Sequence, residues 1–356
     1  MIEFIRRERV FIGLVGILFF IAGVFSPYAN IAMWIGFFLA GYSAIANDSI
    51  QTIGTFIASN SQRPWWILWL YMGSIFLVTV TVSWYLYDGD VSYQRLASKG
   101  FEQAPQEFSF LQVAAPLFLL ILTRMRMPVS TTFLLLSSFA ASASSITGVL
   151  GKSLSGYILA FIVGFGVWFI VTKTFEKKFN QTNAENYWIP IQWVISGGLW
   201  AVWLMQDAAN IAVYLPRSLN LTQFLIFAGF IFFGLGFLFY LRGDRIQKIV
   251  TEKSRVTDVR SATIIDFIYS LLLIYKLTIS TVPMSTTWVF LGLLAGRETG
   301  ISIMGKGLDL GYPLTKVLKM IFKDLGAALF GLAVSILLAV SINEEVRKEI
   351  FFMIGF

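Results

Sequence analysis

The sequence predicts an all-α protein that crosses a membrane several times. Of its 356 residues, 57% are hydrophobic and 13% are charged, whereas soluble domains have about 45–50% and about 25%. Apolar runs long enough to cross the hydrocarbon layer alternate with short polar loops. These runs lack the alternation of apolar and polar residues that a transmembrane β-barrel requires. The composition therefore excludes an ordinary soluble enzyme.

The absence of two residue types restricts the chemistry. The chain contains neither cysteine nor histidine, which excludes disulfides, thiolate metal sites, histidine general bases and histidine proton relays. Ionisable chemistry inside the membrane must therefore use Asp, Glu, Lys, Arg or Tyr. The net charge of +7 is attributed to basic cytoplasmic loops, and no nucleic-acid partner is expected.

The N-terminal segment is predicted to be a retained membrane helix. Arg6, Arg7 and Arg9 precede an apolar run that lacks the small-residue cleavage site of a signal peptide. We therefore assign residues 1–29 to a transmembrane helix. The positive-inside rule places its N-terminus in the cytoplasm.

Polar interruptions in the apolar segments come in matching pairs. The string AIANDSIQ around Asp48 matches WLMQDAAN around Asp207, and MPVSTTF matches VPMSTTW. The number of residues between the Asp motif and the Ser-Thr-Thr motif is nearly equal in the two copies. A Gly-Lys pair, containing Lys152 or Lys306, follows each Ser-Thr-Thr motif. The sequence thus predicts two repeats, residues 30–175 and 188–342.

Loop charges predict that the two repeats have opposite orientations. Loop 88–108 is mainly acidic, whereas its counterpart, the loop 242–260, is strongly basic. The positive-inside rule places the basic loop in the cytoplasm and the acidic loop outside. Non-helical backbone at membrane depth must line a cavity or be buried in protein. We therefore expect two inverted-topology repeats with broken helices and re-entrant hairpins around one polar site, as is typical of transporters.

The Ser-Thr-Thr motifs favour an anion site. Proline and Ser or Thr are typical of a helix start, and each start would direct free N–H groups, hydroxyls and a positive dipole end at the hairpin tip. Two such tips facing one cavity would suit a tetrahedral oxyanion such as phosphate or sulfate. The alternative is simple capping of re-entrant helices. The candidate substrate-binding residues are Ser130, Thr131, Thr132, Ser285, Thr286 and Thr287, together with Asp48 and Asp207.

The two aspartates favour a cation site. A charge within an apolar segment is costly and indicates function. Nearby carboxamides would supply further oxygen ligands for sodium, or the carboxylates could carry protons; bare helix capping is the alternative. Inward transport of a dianion against about 100 mV costs about twice 2.3 kcal/mol, which cotransported cations would offset. The candidate cation-binding residues are Asn47, Asp48, Gln51, Gln206, Asp207 and Asn210.

Five further charges have alternative interpretations. Arg217 would contact substrate or extend to the interface. Lys276 would neutralise an anion or serve structure, and Asp266 lies in the same apolar arm. Lys152 and Lys306 would be gate residues or anchors at the membrane edge.

These motifs resemble the inorganic phosphate transporter (PiT) family, which duplicates a G-x-N-D-x-x-N-x-x-G-T element and a P-V-S-T-T-H-like element. The first copy keeps Asn47, Asp48, Gly54 and Thr55, with Gln51 in place of Asn. The second copy keeps Asp207 and Asn210, with Gln206 in place of Asn. Pro128 and Pro283 precede the Ser-Thr-Thr residues, and Phe133 and Trp288 replace the customary histidine.

The resemblance implies a homodimeric, multi-pass protein of the plasma (inner) membrane whose transport domain moves in an elevator-like or rocking manner. It also implies oxyanion binding by the Ser-Thr-Thr loops and cation binding around the Asp motifs, including Thr55. Phosphate is favoured because monohydrogen phosphate can donate a proton to a carboxylate, whereas sulfate only accepts hydrogen bonds. Sulfate permeases are relatives, so sulfate is the alternative substrate. An anion channel and a membrane-embedded enzyme are remote alternatives; we expect no enzymatic activity and no cofactor beyond the coupling ions.

Overall fold

The computed structural model describes residues 2–98, 100–125, 127, 129–172, 182, 184–241, 258–305 and 312–353, with the side chains of 2–7, 49, 50 and 353 excluded. Within these ranges the regular structure is helical, and the all-α class predicted from the sequence is confirmed. Most of the predicted basic loop 242–260, together with Pro128 and Lys306, lies outside the described residues.

Twelve α-helices form the described part of the chain. They are α1 (Ile2–Phe25), α2 (Ala29–Asn47), α3 (Ser49–Ser59), α4 (Trp65–Leu86), α5 (Phe110–Arg124), α6 (Ala143–Val171), α7 (Trp188–Ala212), α8 (Leu221–Tyr240), α9 (Val259–Ile279), α10 (Thr286–Met304), α11 (Leu314–Ile342) and α12 (Glu344–Met353). Shorter helical turns cover Arg95–Ala97, Thr132–Leu136 and Ser137–Phe139.

Eight of these helices are long and apolar enough to cross a membrane, namely α1, α2, α4, α6, α7, α8, α9 and α11. Helix α5 has only 15 residues, fewer than the roughly 20 that span the hydrocarbon layer. It leads directly into the first Ser-Thr-Thr segment. The protein is therefore a polytopic membrane protein, as predicted.

The two halves of the chain make equivalent contacts. Within the first half α2 packs on α5, and within the second half α7 packs on α9 in the same way. Across the halves, α2 packs on α8 and α7 packs on α4. Helix α10 packs along α6, while the short helical turns 132–139 pack on α11. Each Ser-Thr-Thr arm therefore lies against the last long helix of the other half. A two-fold relation between the halves would produce this exchange. The repeat boundaries and the orientation in the membrane stay predictions.

The two Asp motifs differ in local structure. In the first half the chain changes helix at Asp48, between α2 and α3, although the Asp48 N–H still donates to the Ala44 carbonyl. In the second half α7 continues through Asp207 and ends at Ala212. The sequence from Asp207 to Tyr214 contains neither Gly nor Pro, so nothing local interrupts that helix.

A seam of glycines holds α6 against α10. A Cβ added at Gly292 would lie 2.3 Å from the Tyr157 carbonyl oxygen, and one at Gly296 would lie 2.2 Å from the Phe161 carbonyl oxygen. Gly300 faces the backbone of Phe165 at 3.0 Å. Small residues every four positions allow this close approach of two helix backbones inside a membrane. The seam joins the two halves through backbone contact.

We expect Gly296→Ala to destabilise the protein by about 1–3 kcal/mol, because backbone atoms of α6 would have to move. Gly198→Ala is the matched control, since no described atom beyond its chain neighbours and its own helix backbone lies within 4 Å of the added Cβ. Alanine also favours a helix over glycine by about 1 kcal/mol. Thermal unfolding in detergent should therefore give a lower midpoint for Gly296→Ala and an equal or higher one for Gly198→Ala. Equal midpoints for the two variants would show that the seam is not tightly packed.

Candidate functional site

Asp207 brings both Ser-Thr-Thr motifs to one carboxylate. Its Oδ1 accepts hydrogen bonds from Asn210 Nδ2 at 2.6 Å and from Thr132 Oγ1 at 3.3 Å. Its Oδ2 accepts from Thr286 Oγ1 at 2.5 Å. Thr132 belongs to the first motif and Thr286 to the second, so the hairpin tips of the two halves meet at this buried side chain.

Asp48 occupies the equivalent place in the first half. Its Oδ1 accepts from Asn47 Nδ2 at 2.9 Å and from Gln51 Nε2 at 3.4 Å. Gln51 Nε2 also donates to Thr287 Oγ1 of the second motif at 3.2 Å. Asn210 Nδ2 makes the equivalent contact with Thr132 Oγ1 at 3.1 Å. The structure thus joins both Asp motifs to the Ser-Thr-Thr motif of the opposite half.

The first residue of each Ser-Thr-Thr motif caps a helical start. Ser130 Oγ accepts from the Phe133 N–H at 3.1 Å, and Ser285 Oγ accepts from the Trp288 N–H at 3.2 Å. This geometry is the side-chain cap expected at a helix N-terminus. Each serine keeps its hydroxyl proton as a donor. Capping and anion binding therefore do not exclude each other at these residues.

Among the residues that the structure describes, several buried polar atoms in this site have no hydrogen-bond partner. They are Gln51 Oε1, Gln206 Oε1 and Nε2, and Asn210 Oδ1. Each buried polar atom without a partner costs about 1–3 kcal/mol, so such atoms call for an ion, a ligand or a water molecule. Three of the atoms are amide oxygens, which together with carboxylates form the hard oxygen donor set that alkali cations prefer. The residues present therefore fit bound sodium.

The carboxylates also lack positive partners. In the part of the chain that the structure describes, neither Asp48 nor Asp207 forms an ion pair. Their exposed fractions are 1% and 3%. Removing an unpaired carboxylate from water costs several kcal/mol even after relaxation. The described side chains consequently leave the charge of the two carboxylates unbalanced.

Thr55 belongs to the Asp48 motif in the sequence, but its side chain bonds to Asp266 in the structure. Its Oγ1 donates to Asp266 Oδ1 at 2.8 Å, and Ser196 Oγ donates to Asp266 Oδ2 at 2.5 Å. Asp266 is 1% exposed. Sequence reasoning left the role of Asp266 open. In the sequence Asp266 stands out only as a single carboxylate within an apolar segment. Its partners could not be predicted, because they lie on two helices distant in the chain.

Phe133 and Trp288, which replace the customary histidines, pack together. Their rings meet edge to face with centroids 5.3 Å apart, and both side chains are buried. Each ring lies just after its Ser-Thr-Thr motif, so the ring pair joins the starts of the two helical arms.

Arg217 contacts protein carbonyl groups. It donates to the backbone oxygens of Phe101, Val213, Leu215 and Gln103 at 2.8–3.2 Å. Burial lowers its pKa to about 10, so the guanidinium stays protonated at neutral pH. These bonds give Arg217 a structural role in holding two loops together.

The fold and the buried polar site define a polytopic membrane transporter fold. No protein-family profile matches the chain, and no curated protein matches it either. A solved structure described as the sodium-dependent phosphate transporter is similar to it, with a TM-score of 0.56 and 15% sequence identity. The likeness covers 92% of this chain and 99% of that chain. It confirms the fold expected from the resemblance to the phosphate transporter family.

Two buried glutamines of α7 test whether the site is built for an ion. Within the described ranges the Gln206 side chain has no hydrogen-bond partner, whereas the Gln192 side chain bonds to Ser59 and Asn60. In sodium-free buffer Gln206→Leu should stabilise the fold by about 1–3 kcal/mol, and Gln192→Leu should destabilise it by a similar amount.

Thermal unfolding with and without sodium gives the readout. We expect sodium to raise the midpoint of the wild type, since it binds the folded state, and to have a smaller effect on Gln206→Leu. A full sodium effect in Gln206→Leu would remove Gln206 from the cation site.

Proposed function

We propose that the protein is a secondary active transporter that imports inorganic phosphate together with sodium ions or protons. One observation carries the proposal: hydroxyls of both Ser-Thr-Thr motifs bond to the buried Asp207 carboxylate, and Gln51 joins the buried Asp48 carboxylate to Thr287. Amide oxygens without a partner among the described residues surround both carboxylates. Such a site offers donors to an oxyanion and acceptors to a cation. The name of the structural neighbour supports the same substrate.

Phosphate fits the donor and acceptor arrangement better than sulfate. The hairpin tips supply hydroxyl and N–H donors for oxyanion oxygens. Asp48 and Asp207 supply acceptors, and only monohydrogen phosphate carries a proton to donate to them. A sulfate ion beside two uncompensated carboxylates would be repelled. Sulfate remains the second candidate, because sodium bound at both aspartates would remove this repulsion.

Coupling to cations follows from charge. Each elementary charge that crosses about 100 mV is worth about 2.3 kcal/mol, so a dianion cannot be accumulated inside a negative membrane without cotransported positive charge. Asp48, Gln51, Gln206, Asp207 and Asn210 are the residues that would hold sodium. The two aspartates would carry the protons if protons are the coupling ions.

An enzyme or a channel fits the site less well. Lys152 donates to the carbonyls of Ser280 and Val282 and therefore does not activate a hydroxyl nucleophile. Two equivalent half-sites suit alternating access better than a one-sided reaction or a permanently open pore. We further propose a homodimer in the plasma membrane, with the N-terminus in the cytoplasm.

The proposal is tested by uptake of radiolabelled phosphate into proteoliposomes, with and without an inward sodium gradient. Excess unlabelled sulfate serves as the competitor, and a proton gradient replaces sodium in a parallel series. Gradient-driven accumulation that sulfate does not suppress is the expected result. Accumulation of labelled sulfate without phosphate uptake would transfer the protein to the second candidate. Uptake that only equilibrates across the membrane would indicate a channel.

Asp48→Asn and Asp207→Asn should each abolish concentrative phosphate uptake, by about a hundredfold or more, because the coupling ion loses its charged ligand. The matched control is Glu345→Gln, which removes a carboxylate on the exposed helix α12 and should leave uptake unchanged. The initial rate and the plateau of uptake are measured at equal protein incorporation. Retained accumulation in both aspartate variants would contradict their coupling role.

A further inference from the structure

Three basic side chains from separate parts of the chain meet at the end of α9. Arg95 donates to the carbonyls of Ser280 at 2.6 Å and Leu277 at 3.3 Å. Lys152 Nζ donates to the carbonyls of Ser280 at 2.8 Å and Val282 at 2.5 Å. Lys276 Nζ donates to Ser155 Oγ, one turn after Lys152 on α6, at 2.7 Å. We call Arg95, Lys152 and Lys276 the basic cluster.

The positive charge of the basic cluster is not compensated. In the part of the chain that the structure describes, none of the three side chains forms an ion pair. Arg95 and Lys152 share the Ser280 carbonyl oxygen, so their charged groups lie within two hydrogen-bond lengths of each other. A helix C-terminus carries only about half a negative charge, which is too little for three cations.

Arg95 also keeps a donor without an acceptor. The residue is 4% exposed, and its buried Nε has no hydrogen-bond partner among the described residues. A guanidinium is a planar set of donors that matches the oxygens of phosphate or sulfate. This N–H is available to a ligand with acceptor oxygens.

The basic cluster adjoins the second Ser-Thr-Thr motif. Val282 precedes Ser285 by three residues, which span at most about 11 Å. Ser153 follows Lys152 in the chain, and its Oγ accepts a hydrogen bond from the Ser285 N–H at 2.8 Å. Thr281 is exposed and Lys152 is partly exposed. The basic cluster therefore has a partly exposed member and lies beside the second Ser-Thr-Thr motif.

We propose that Arg95, Lys152 and Lys276 bind an oxyanion transiently and supply it to the Ser-Thr-Thr site. The inference rests on the proposed function, because it assigns the path by which the substrate oxyanion arrives. A focused positive field raises the local anion concentration and the association rate. A phosphate-bearing lipid headgroup has the same chemistry and is the competing ligand.

The test uses Lys152→Gln and Lys276→Gln, which keep a hydrogen-bond donor and remove the charge. Lys319→Gln, at an exposed position of α11, is the control. We expect the phosphate KM to rise about threefold to tenfold in each cluster variant, with kcat changed less than about twofold and the control unchanged. Lys152→Arg should restore the wild-type KM. Raising ionic strength with potassium chloride at fixed sodium should increase the wild-type KM more than that of the variants.

A second measurement does not depend on transport. Acylation of Lys152 by an amine-reactive reagent is followed by peptide mass spectrometry in detergent-solubilised protein. Phosphate or sulfate should slow the modification of Lys152 and leave that of Lys319 unchanged. Absence of protection by both anions would overturn the proposal, whatever the uptake result. Protection in a wild-type protein that transports neither anion would support the basic cluster and refute the proposed function.

Two lipid compositions separate the sources of the oxyanion. Uptake is compared in phosphatidylcholine vesicles and in vesicles that also contain phosphatidylglycerol. If a free oxyanion binds, the KM effect of Lys152→Gln is present in phosphatidylcholine alone. The opposite result is a KM that Lys152→Gln leaves unchanged in phosphatidylcholine, together with an effect of phosphatidylglycerol on uptake that the wild type shows and the variant lacks. That result would assign the basic cluster to a lipid headgroup and overturn the proposal.

Discussion

The structure depends on the burial of two carboxylates that have no basic partner in the described part of the chain. An unpaired carboxylate is unstable in a medium of low dielectric constant, so Asp48 and Asp207 constrain every element around them. The hydroxyls and amides of four segments are directed at these oxygens. These bonds lower the cost of burial without neutralising the charge. The fold therefore maintains two buried carboxylates whose charge the described side chains do not balance.

The two half-sites make equivalent contacts with the opposite Ser-Thr-Thr motif, but their carboxylates have different hydrogen-bond partners. Gln51 contacts Thr287 as Asn210 contacts Thr132. Hydroxyls from both motifs bind Asp207 inside a continuous helix, whereas Asp48 lies where two helices meet beside two amide side chains. A repeated sequence has thus produced two environments. An ion at one aspartate would meet different ligands from an ion at the other.

The helical membrane class and the shared polar site could be predicted from the sequence, because apolar run length and repeated motifs indicate them. The length of each apolar run gave the helical membrane class, since bilayer thickness fixes span length. The paired motifs led us to expect that Asp48, Asp207 and the Ser-Thr-Thr segments share one site, and the structure joins them by hydrogen bonds. The partners of Asp266 and the contacts of Arg95 were out of reach, because residues far apart in the chain leave no local pattern. The binding roles of all these residues stay predictions.

The glycine seam between α6 and α10 limits how the molecule can change shape. The two helices come from different halves, yet their backbones touch, and packed backbones cannot slide past each other without breaking many contacts at once. Neither half can then tilt as an independent rigid body. A boundary for large displacement must instead run between a composite unit, containing helices of both halves, and the remaining helices.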